Sequence, residues 1–412
     1  SFCKFFKHDF SASVLATVLV VSTLLLLGVL MVIELWNFDL VRYNFYHQGE
    51  QARANVESGF LLYSRDSTLS YRWEGDSSVL LFGQQEDSRV RYSRQRWGMY
   101  EVVEVQNGRH RSVRLLGKKA ESFWRATLYV PENNRAFSVT GRTFAEGDVY
   151  LPRNGISYTQ LRSEFFKGRA LDKKQIKTSE ERLPPLDEES RDVVNGLLDY
   201  AGEREWLENG SVLQRGFREP VVRVEVGEYL SDVRVSGPVI LYASSMLFVE
   251  ENNRLENVII VGDRVEFADG FSGCVQVFAR DTILLGNQVC LKAGSGLYVR
   301  QEEEKGFIRL GEECEVNGYV IAGAKVSEGE QKQLLYYQPE SSRVRGLLYV
   351  DGIAEVHGFV TGSLYARECY YFAPEGYYSG ILYNIVLPGN PGGAYPLWMR
   401  GPYERREVKW LD

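Results

Sequence analysis

Leu310-Gly-Glu-Glu-Cys-Glu-Val-Asn-Gly-Tyr-Val320 alternates apolar and polar residues and is broken twice by glycine. Three other stretches align with its first seven residues: Val261-Gly-Asp-Arg-Val-Glu-Phe267, Leu285-Gly-Asn-Gln-Val-Cys-Leu291 and Val350-Asp-Gly-Ile-Ala-Glu-Val356. Its second half returns in Glu355-Val-His-Gly-Phe-Val360 and, more weakly, in Phe267-Ala-Asp-Gly-Phe271. The glycines of the aligned heptads fall 24 and 25 residues apart, then about 40, where Ser327 to Arg345 reads as an insertion. Short alternating strands with small residues at a near-constant spacing are what a β-solenoid needs. Each coil turns at the small residues and stacks its inward Val, Leu and Ile on the coil below. Val139-Thr-Gly-Arg-Thr-Phe-Ala-Glu-Gly-Asp-Val-Tyr-Leu151 is an earlier echo, read as a coil contributed before a linker. An immunoglobulin-like sandwich, the rival fold, would not repeat glycine-containing heptads in one register. The expected fold is mostly β, with a right-handed β-solenoid (β-helix) over 213–388.

Upstream, residues 64–160 alternate in β fashion, as in Arg89-Val-Arg-Tyr-Ser93 and Tyr100-Glu-Val-Val-Glu-Val105, with turn signals such as Gly75-Asp76, Asn107-Gly108 and Pro131 to Asn134 between the strands. A charged stretch with Pro184-Pro185, Lys173 to Ser190, reads as a boundary. It leads into a helix near Arg191 to Leu207, with Val194, Leu197, Leu198, Ala201 and Trp206 on one side. Residues 161–212 are thus read as linker and helical insertion, and 389–412 as a C-terminal extension.

The N-terminal part sets the compartment. Ser11 to Ile33 is uncharged and holds fourteen Val, Leu and Ile residues among its 23 positions. At roughly −0.5 kcal/mol per aliphatic residue these contribute about −7 kcal/mol to insertion, offset in part by Ser11, Ser13, Thr17, Ser22, Thr23 and Gly28. A cleavable signal would have a shorter apolar region and a small-residue processing site. Here Glu34-Leu-Trp-Asn-Phe38 follows, so the segment reads as a retained transmembrane helix. Lys4 and Lys7 before it, against Glu34 and Asp39 after it, leave residues 1–10 as a cytoplasmic tail and the bulk outside the inner membrane, in the periplasm. Trp36, Tyr43 and Tyr46 are read as interfacial anchors in the lipid bilayer. From Glu34 to Tyr63 there is no proline, and Phe45, Ala52, Val56 and Phe60 recur at helical spacing, so 34–63 is expected to continue the helix as a stalk.

A net charge of −7 argues against nucleic acid as a partner, and 25 Tyr within 13% aromatics suits β-structure. Five cysteines (Cys3, Cys274, Cys290, Cys314, Cys369) without a CxxC give no support to zinc or redox chemistry; the four beyond the membrane read as buried small hydrophobes that an oxidising compartment would let pair. Asp263, Asp269 and Asp281 sit at expected coil corners, where Asp favours the turn. Glu250-Glu251 and Glu302 to Glu304 read as solvated charge. The four histidines are scattered, at 8, 47, 110 and 357, and no P-loop, GxSxG or HExxH occurs. No catalytic, metal or cofactor residue is assigned, and an enzyme is not expected. The one charged constellation is Arg89, Arg91, Arg94, Arg96, Arg109, Arg111 and Arg114, with Tyr92 and Trp97 between. It is read as a surface for an anionic partner, against the plainer reading of a solvent face paired with glutamate. Asp66-Ser-Thr68 and Asp281-Thr-Ile283 match a short O-glycosylation pattern, and Asn209-Gly-Ser211 is an N-sequon.

The helix that is half membrane anchor and half spine resembles type IV pilins and their minor-pilin relatives over about sixty residues, with Phe5 where those proteins carry glutamate. The Val-x-Gly-[Tyr/Phe]-Val steps resemble the bactofilin group of polymer-forming β-helix proteins. Leu128-Tyr-Val-Pro-Glu-Asn-Asn-Arg-Ala136 followed by Gly147-Asp-Val-Tyr-Leu-Pro152 is similar to uncharacterised membrane-anchored proteins of Bacteroidota. The resemblance implies a structural envelope component of a secretion or gliding-motility apparatus, with other envelope membrane proteins as partners. The alternative is a membrane-anchored β-helix that binds or cleaves carbohydrate, for which Tyr370-Tyr-Phe372, Tyr377-Tyr378 and Trp398 are candidate contacts.

Overall fold

The computed structural model describes residues 10–65, 77–83, 85–120, 122–161, 163–301, 306–324, 334–389, 393–397 and 404–411. The readings placed on Cys3, Lys4, Lys7, His8, Asp66 to Thr68, Gly75-Asp76, Glu302 to Glu304, Ser327 to Gln333 and Trp398 lie outside these residues. The chain is mostly strand behind one long N-terminal helix. It divides into two compact units: 1–59 with 79–90 and 106–111, and 60–78 with 91–105 and 112–412.

In the first unit, helix α1 begins at Phe10 and runs to Arg65, 56 residues or about 84 Å at 1.5 Å per residue. Residues 14–48 of it are exposed, and burial begins only with Asn55 and Val56. Phe45, expected on the buried stripe, is 66% exposed; the buried stripe starts about three turns later, at Asn55 and Val56. Asn55 fixes the helix within this unit. Its Nδ2 donates to the Asp87 carbonyl (3.2 Å) and to Asn107 Oδ1 (3.3 Å), while Asn107 Nδ2 donates to the carbonyls of Asp87 and Arg89.

Strands β1 (Ser77–Leu80), β2 (Arg89–Trp97), β3 (Tyr100–Asn107) and β4 (His110–Lys119) follow in sheet order. Ala394–Tyr395 and Arg405–Trp410 add to β4 antiparallel, with Arg405 opposite Lys118 and Trp410 opposite Arg114. The segment read as a C-terminal extension therefore completes this sheet.

The rest of the second unit is dominated by a closed, parallel sheet. Its rungs follow one another at offsets of sixteen to twenty-eight residues, as in Val261↔Phe278, Leu291↔Val316, Val316↔Val344 and Val344↔Val360. The interior is a continuous aliphatic core that includes Leu241, Ile260, Val277, Leu297, Val320, Leu348 and Leu364. The same sheet takes in strands from before the expected linker: Leu364↔Leu128, Leu128↔Val149 and Val149↔Ile176. Of the stretch 139–151, Phe144–Ala145 and Val149–Leu151 pair into this sheet while Phe137–Thr140 belongs to a separate three-stranded one, and Ile176–Thr178, inside the stretch read as linker, pairs with Val149–Leu151.

The heptad alignment is right in one place and wrong in another. Cys290↔Glu315 and Leu291↔Val316 stack Leu285–Leu291 on Leu310–Val316. Gly318, however, pairs with Gly346, and Gly346 with Gly362. Gly358, aligned with Gly318 in the sequence, lies four residues out of step, at a corner. The reason is local: Leu334–Gln338 and Arg343 onward are ladder residues, so the expected insertion takes in rungs at its C-terminal end. Gly346 adopts φ +134°, and a Cβ there would meet the Gly318 carbonyl oxygen at 1.9 Å, so this glycine marks close backbone approach between rungs.

One outward row of the sheet is aromatic and aliphatic along its length: Tyr242, Val261, Phe278, Tyr298, Ile321, Tyr349, Tyr365, Tyr129 and Tyr150, each opposite the next. Rings stack at 6.2 Å (Tyr349–Tyr365), 5.6 Å (Tyr365–Tyr129) and 5.5 Å (Tyr129–Tyr150). Helix α2 (Glu188–Leu198) packs its buried Val194 and Leu198 into the same cluster. Asp187 caps it, accepting from the Ser190 amide. The helix ends at Asp199 instead of continuing to Leu207. Ala201 is exposed, and Trp206 stands 62% exposed in a two-residue strand.

Candidate functional site

By length and composition α1 is able to cross a membrane. Its apolar side chains from Val14 to Ile33 all face outward, with Leu15 72% exposed and Met31 67%. Such a surface is costly in water and favourable in lipid. Two of the hydroxyls that lower its apolarity are satisfied internally: Ser22 donates to the Leu19 carbonyl and Thr23 to those of Leu19 and Val20, which removes most of their penalty in hydrocarbon. Past Ile33 exposed apolar side chains continue, now interspersed with exposed Glu34, Asn37, Asp39, Arg42 and Asn44. Leu35, Trp36, Phe38, Leu40, Val41, Tyr43, Phe45 and Tyr46 are all exposed. At 1.5 Å per residue, Trp36 stands about 5 Å beyond Ile33, Tyr43 about 15 Å and Tyr46 about 20 Å. With Ile33 set at the edge of the hydrocarbon, Trp36 would fall within a headgroup layer of roughly 5–7 Å and Tyr43 and Tyr46 beyond it.

The seven arginines do not form one surface. Along β2 the parity places Arg89 and Arg91 on one face and Arg94 and Arg96 on the other. Arg89 forms an exposed ion pair with Glu86 at 2.8 Å. Arg94 Nε lies 2.9 Å, and Arg405 Nε 2.5 Å, from the carboxylate of Glu101, which is fully buried. Arg96 Nη2 donates to Ser190 Oγ at 2.5 Å, at the start of α2; burial pulls its guanidinium below its ordinary value. Arg114 is buried, pairs with Glu407 at 3.0 Å, and lies between the rings of Phe60 (4.1 Å) and Trp410 (4.3 Å). Arg91, Arg109 and Arg111 are exposed. Three of the seven thus hold the fold together, and their partners Glu101, Ser190 and Glu407 are too distant in sequence, or too ordinary, to have been picked out beforehand.

The candidate acids are structural. Asp263 Oδ1 accepts from Arg280 (2.9 Å), and Asp269 Oδ1 caps the next corner through the Asn287 amide (2.7 Å). Asp281 has one buried oxygen without a hydrogen-bond partner among the described residues. No group of three His, Cys, Asp or Glu able to hold a metal ion occurs among the described residues. Cys274, Cys314 and Cys369 are buried, Cys290 is half-buried, and all four are free thiols. Burial pushes the Cys369 thiol up to about 12. Thr282, in the O-glycosylation pattern, is buried within a strand, and the sequon residue Asn209 holds a corner through the Tyr229 carbonyl and the Ser231 amide.

Two clefts lie in the second unit. One of about 430 Å³ is bounded by Ser93, Gln95, Val102, Phe217 and the ion pair Arg218–Glu104 (3.2 Å). The other, of about 320 Å³, runs over the glycine rungs Gly318, Gly346 and Gly362 beneath Tyr100 and Tyr395. Neither brings together an unpaired acid and base.

The aromatic stretch read as candidate carbohydrate contacts is a hairpin, Tyr370–Ala373 against Gly376–Ser379. On one side Tyr370 and Tyr377 stack at 5.6 Å, with Phe372 beside them; Tyr377 is 67% exposed. Burial first, and Glu368 second, push the Tyr370 phenol up to about 12. On the other side Tyr371, Tyr378 and Tyr383 gather around buried His357. The His357 ring faces two acceptors, the Tyr383 carbonyl at Nδ1 (2.7 Å) and Glu355 Oε1 at Nε2 (3.3 Å). His357 thus pins the hairpin base.

No family model, no curated protein and no solved structure matches the chain.

Proposed function

We propose that this chain is a single-pass membrane scaffold without enzymatic activity, in which α1 anchors a right-handed β-solenoid body that assembles with other proteins of a bacterial envelope. In this reading the closed parallel sheet is a stack of bactofilin-like coils, carried on a pilin-like helix in the inner membrane with its bulk in the periplasm. The observation that carries it is the length of exposed helix on α1, uncharged from Val14 to Ile33 and then lined by aromatic and aliphatic side chains interspersed with Glu34, Asn37, Asp39, Arg42 and Asn44. Residues 14 to 46 are exposed throughout and span about 50 Å, against a hydrocarbon core of about 30 Å. A tilt of 40°, the upper end of the usual range, still leaves about 38 Å along the membrane normal. Some 8 to 20 Å of this helix therefore stands beyond the core, and its collar of exposed Leu35, Trp36, Phe38, Leu40, Val41, Tyr43, Phe45 and Tyr46, set among charged residues, calls for a protein partner.

A photo-crosslinking residue placed at Val41 or Phe45, in membranes of the producing cell, tests this. Protein adducts at both positions, with only lipid adducts at Leu19 and Leu26, support the assembly; lipid or no adducts at Val41 and Phe45 remove it. The exposed Tyr370/Phe372/Tyr377 face favours a second reading, a membrane-anchored carbohydrate binder or carbohydrate-cleaving β-helix, because a flat phenolic surface with Glu368 beside it suits a pyranose ring. Retention of the detergent-extracted chain on immobilised envelope polysaccharide, abolished by Tyr377→Ala, would favour that reading.

A further inference from the structure

We propose that Arg204 and Arg223, stacked on Tyr200 and Tyr242, form a binding site for a phosphate group. Glu205 pairs with Val224, which sets Arg204 and Arg223 side by side on adjacent rungs at the outer face of the first coils. Each guanidinium lies over a ring: Arg204 Cζ is 4.2 Å from the Tyr242 centroid and Arg223 Cζ is 4.7 Å from that of Tyr200. The two rings stack on each other at 5.5 Å. Stacking of this kind fixes the plane of a guanidinium and leaves its N–H edge free for a ligand.

The charges at this place are uncompensated. Among the described residues no carboxylate pairs with either arginine; the hydrogen bond of Arg204 is to the Tyr200 carbonyl. Among the described residues Nε of both is buried without a hydrogen-bond partner, and the Tyr242 hydroxyl faces the Arg223 guanidinium. Neighbouring arginines are treated differently. Arg280 has Asp263 and Asp199, Arg300 has Asp199, Arg215 has Glu219 and Arg264 has Glu266. In a chain with 55 acidic and 48 basic residues, two adjacent half-buried cations without an acid between them are unfavourable in isolation, through like-charge repulsion and through desolvation. A bound anion removes both penalties. One guanidinium saturates a carboxylate through its bidentate fork, whereas two adjacent forks match the three terminal oxygens and the charge of roughly −1.5 to −2 of a phosphate monoester.

The full chain in detergent, at low ionic strength with chloride as the reference anion, is titrated with inorganic phosphate, glucose 6-phosphate and acetate, reading binding by calorimetry and the unfolding midpoint. Phosphate and the sugar phosphate are expected to bind and raise the midpoint, with acetate at least tenfold weaker. Tighter binding of the sugar phosphate assigns a carried phosphate, and equal binding the bare group. Arg204→Gln and Arg223→Lys, which keeps the charge but not the fork, are each expected to weaken phosphate at least tenfold, while Arg215→Gln leaves it unchanged. Binding of acetate as tight as phosphate, no binding of either phosphate, or equal loss in Arg215→Gln would overturn the assignment. None of these outcomes bears on the membrane collar, so this site and the scaffold reading stand or fall separately.

Discussion

Tyr365 is the residue through which the late rungs close onto the early ones, and its removal should be felt on both sides of that joint. It is fully buried and touches Trp124 (5.1 Å), Tyr129 (5.6 Å) and Tyr349 (6.2 Å). Tyr365→Leu keeps the apolar volume and discards three ring pairs of about 0.5–1.5 kcal/mol each, for an expected loss of about 2–4 kcal/mol. Tyr129→Leu discards the pairs with Tyr365 and Tyr150, and also a hydroxyl that accepts from the Glu180 amide (3.0 Å) and donates to the Arg182 carbonyl (3.3 Å). Its expected cost is similar, about 2–4 kcal/mol. If the two rings stack as described, the double variant should cost less than the sum by about 1 kcal/mol, the coupling of one aromatic pair. Urea unfolding of the three variants in detergent, followed by tryptophan fluorescence, measures this directly. Additivity within about 0.3 kcal/mol would show that the rings do not meet and would refute the joining of 128–129 to 364–365.

Other outcomes follow from single contacts. Glu101→Gln strands Arg94 and Arg405 against a buried amide and should cost about 3–5 kcal/mol by the same unfolding assay; a change below 1 kcal/mol would mean the cluster is solvated. Gly346 and Gly376 share a backbone region (φ +134° and +149°), but only Gly346 has a carbonyl oxygen where a Cβ would go. Gly376→Ala should therefore cost about 1–3 kcal/mol from backbone strain alone, and Gly346→Ala clearly more; equal costs would contradict the rung spacing. The carboxyl of Asp199 is held below its ordinary value by hydrogen bonds from Arg300 and then Arg280. A depressed carboxyl stabilises the fold above its unfolded value, and that contribution is lost as pH falls through its folded value. Amide exchange of α2 should accordingly quicken on acidification below the ordinary aspartate range, and Asp199→Asn should abolish that dependence.

What could be read beforehand depended on how close in sequence the deciding residues lie. The helix was legible because its whole case is local: an uncharged run followed by thirty residues without proline. The stacking of Leu285–Leu291 on Leu310–Val316 was legible because no insertion separates them. The Val350 heptad was misaligned because glycine recurs for two different reasons, corners such as Gly270 and close rung approach at Gly346, and the pattern did not distinguish them. A better signal was present: Leu241-Tyr-Ala243, Val277-Phe-Ala279, Leu297-Tyr-Val299, Leu348-Tyr-Val350, Leu364-Tyr-Ala366, Leu128-Tyr-Val130 and Val149-Tyr-Leu151. An inward aliphatic followed by an outward ring marks seven of the nine rungs of this row, all but those of Val261 and Ile321, and it would have placed 128–151 in the same sheet. The arginine run misled because its partners lie elsewhere: Glu101 across a hairpin, Ser190 and Glu407 about one hundred and three hundred residues away. Arg204 and Arg223 drew no notice because nothing in a sequence shows that a charge lacks its counter-ion.

The scaffold reading requires α1 to be embedded in lipid with the body on the far side. Alkaline carbonate washing of vesicles, followed by protease treatment of intact spheroplasts, measures both at once. The full-length chain should stay with the vesicles, and residues beyond about 46 should be digested from outside. Release of the intact chain by carbonate, or a carboxyl-terminal half untouched in spheroplasts, would contradict it.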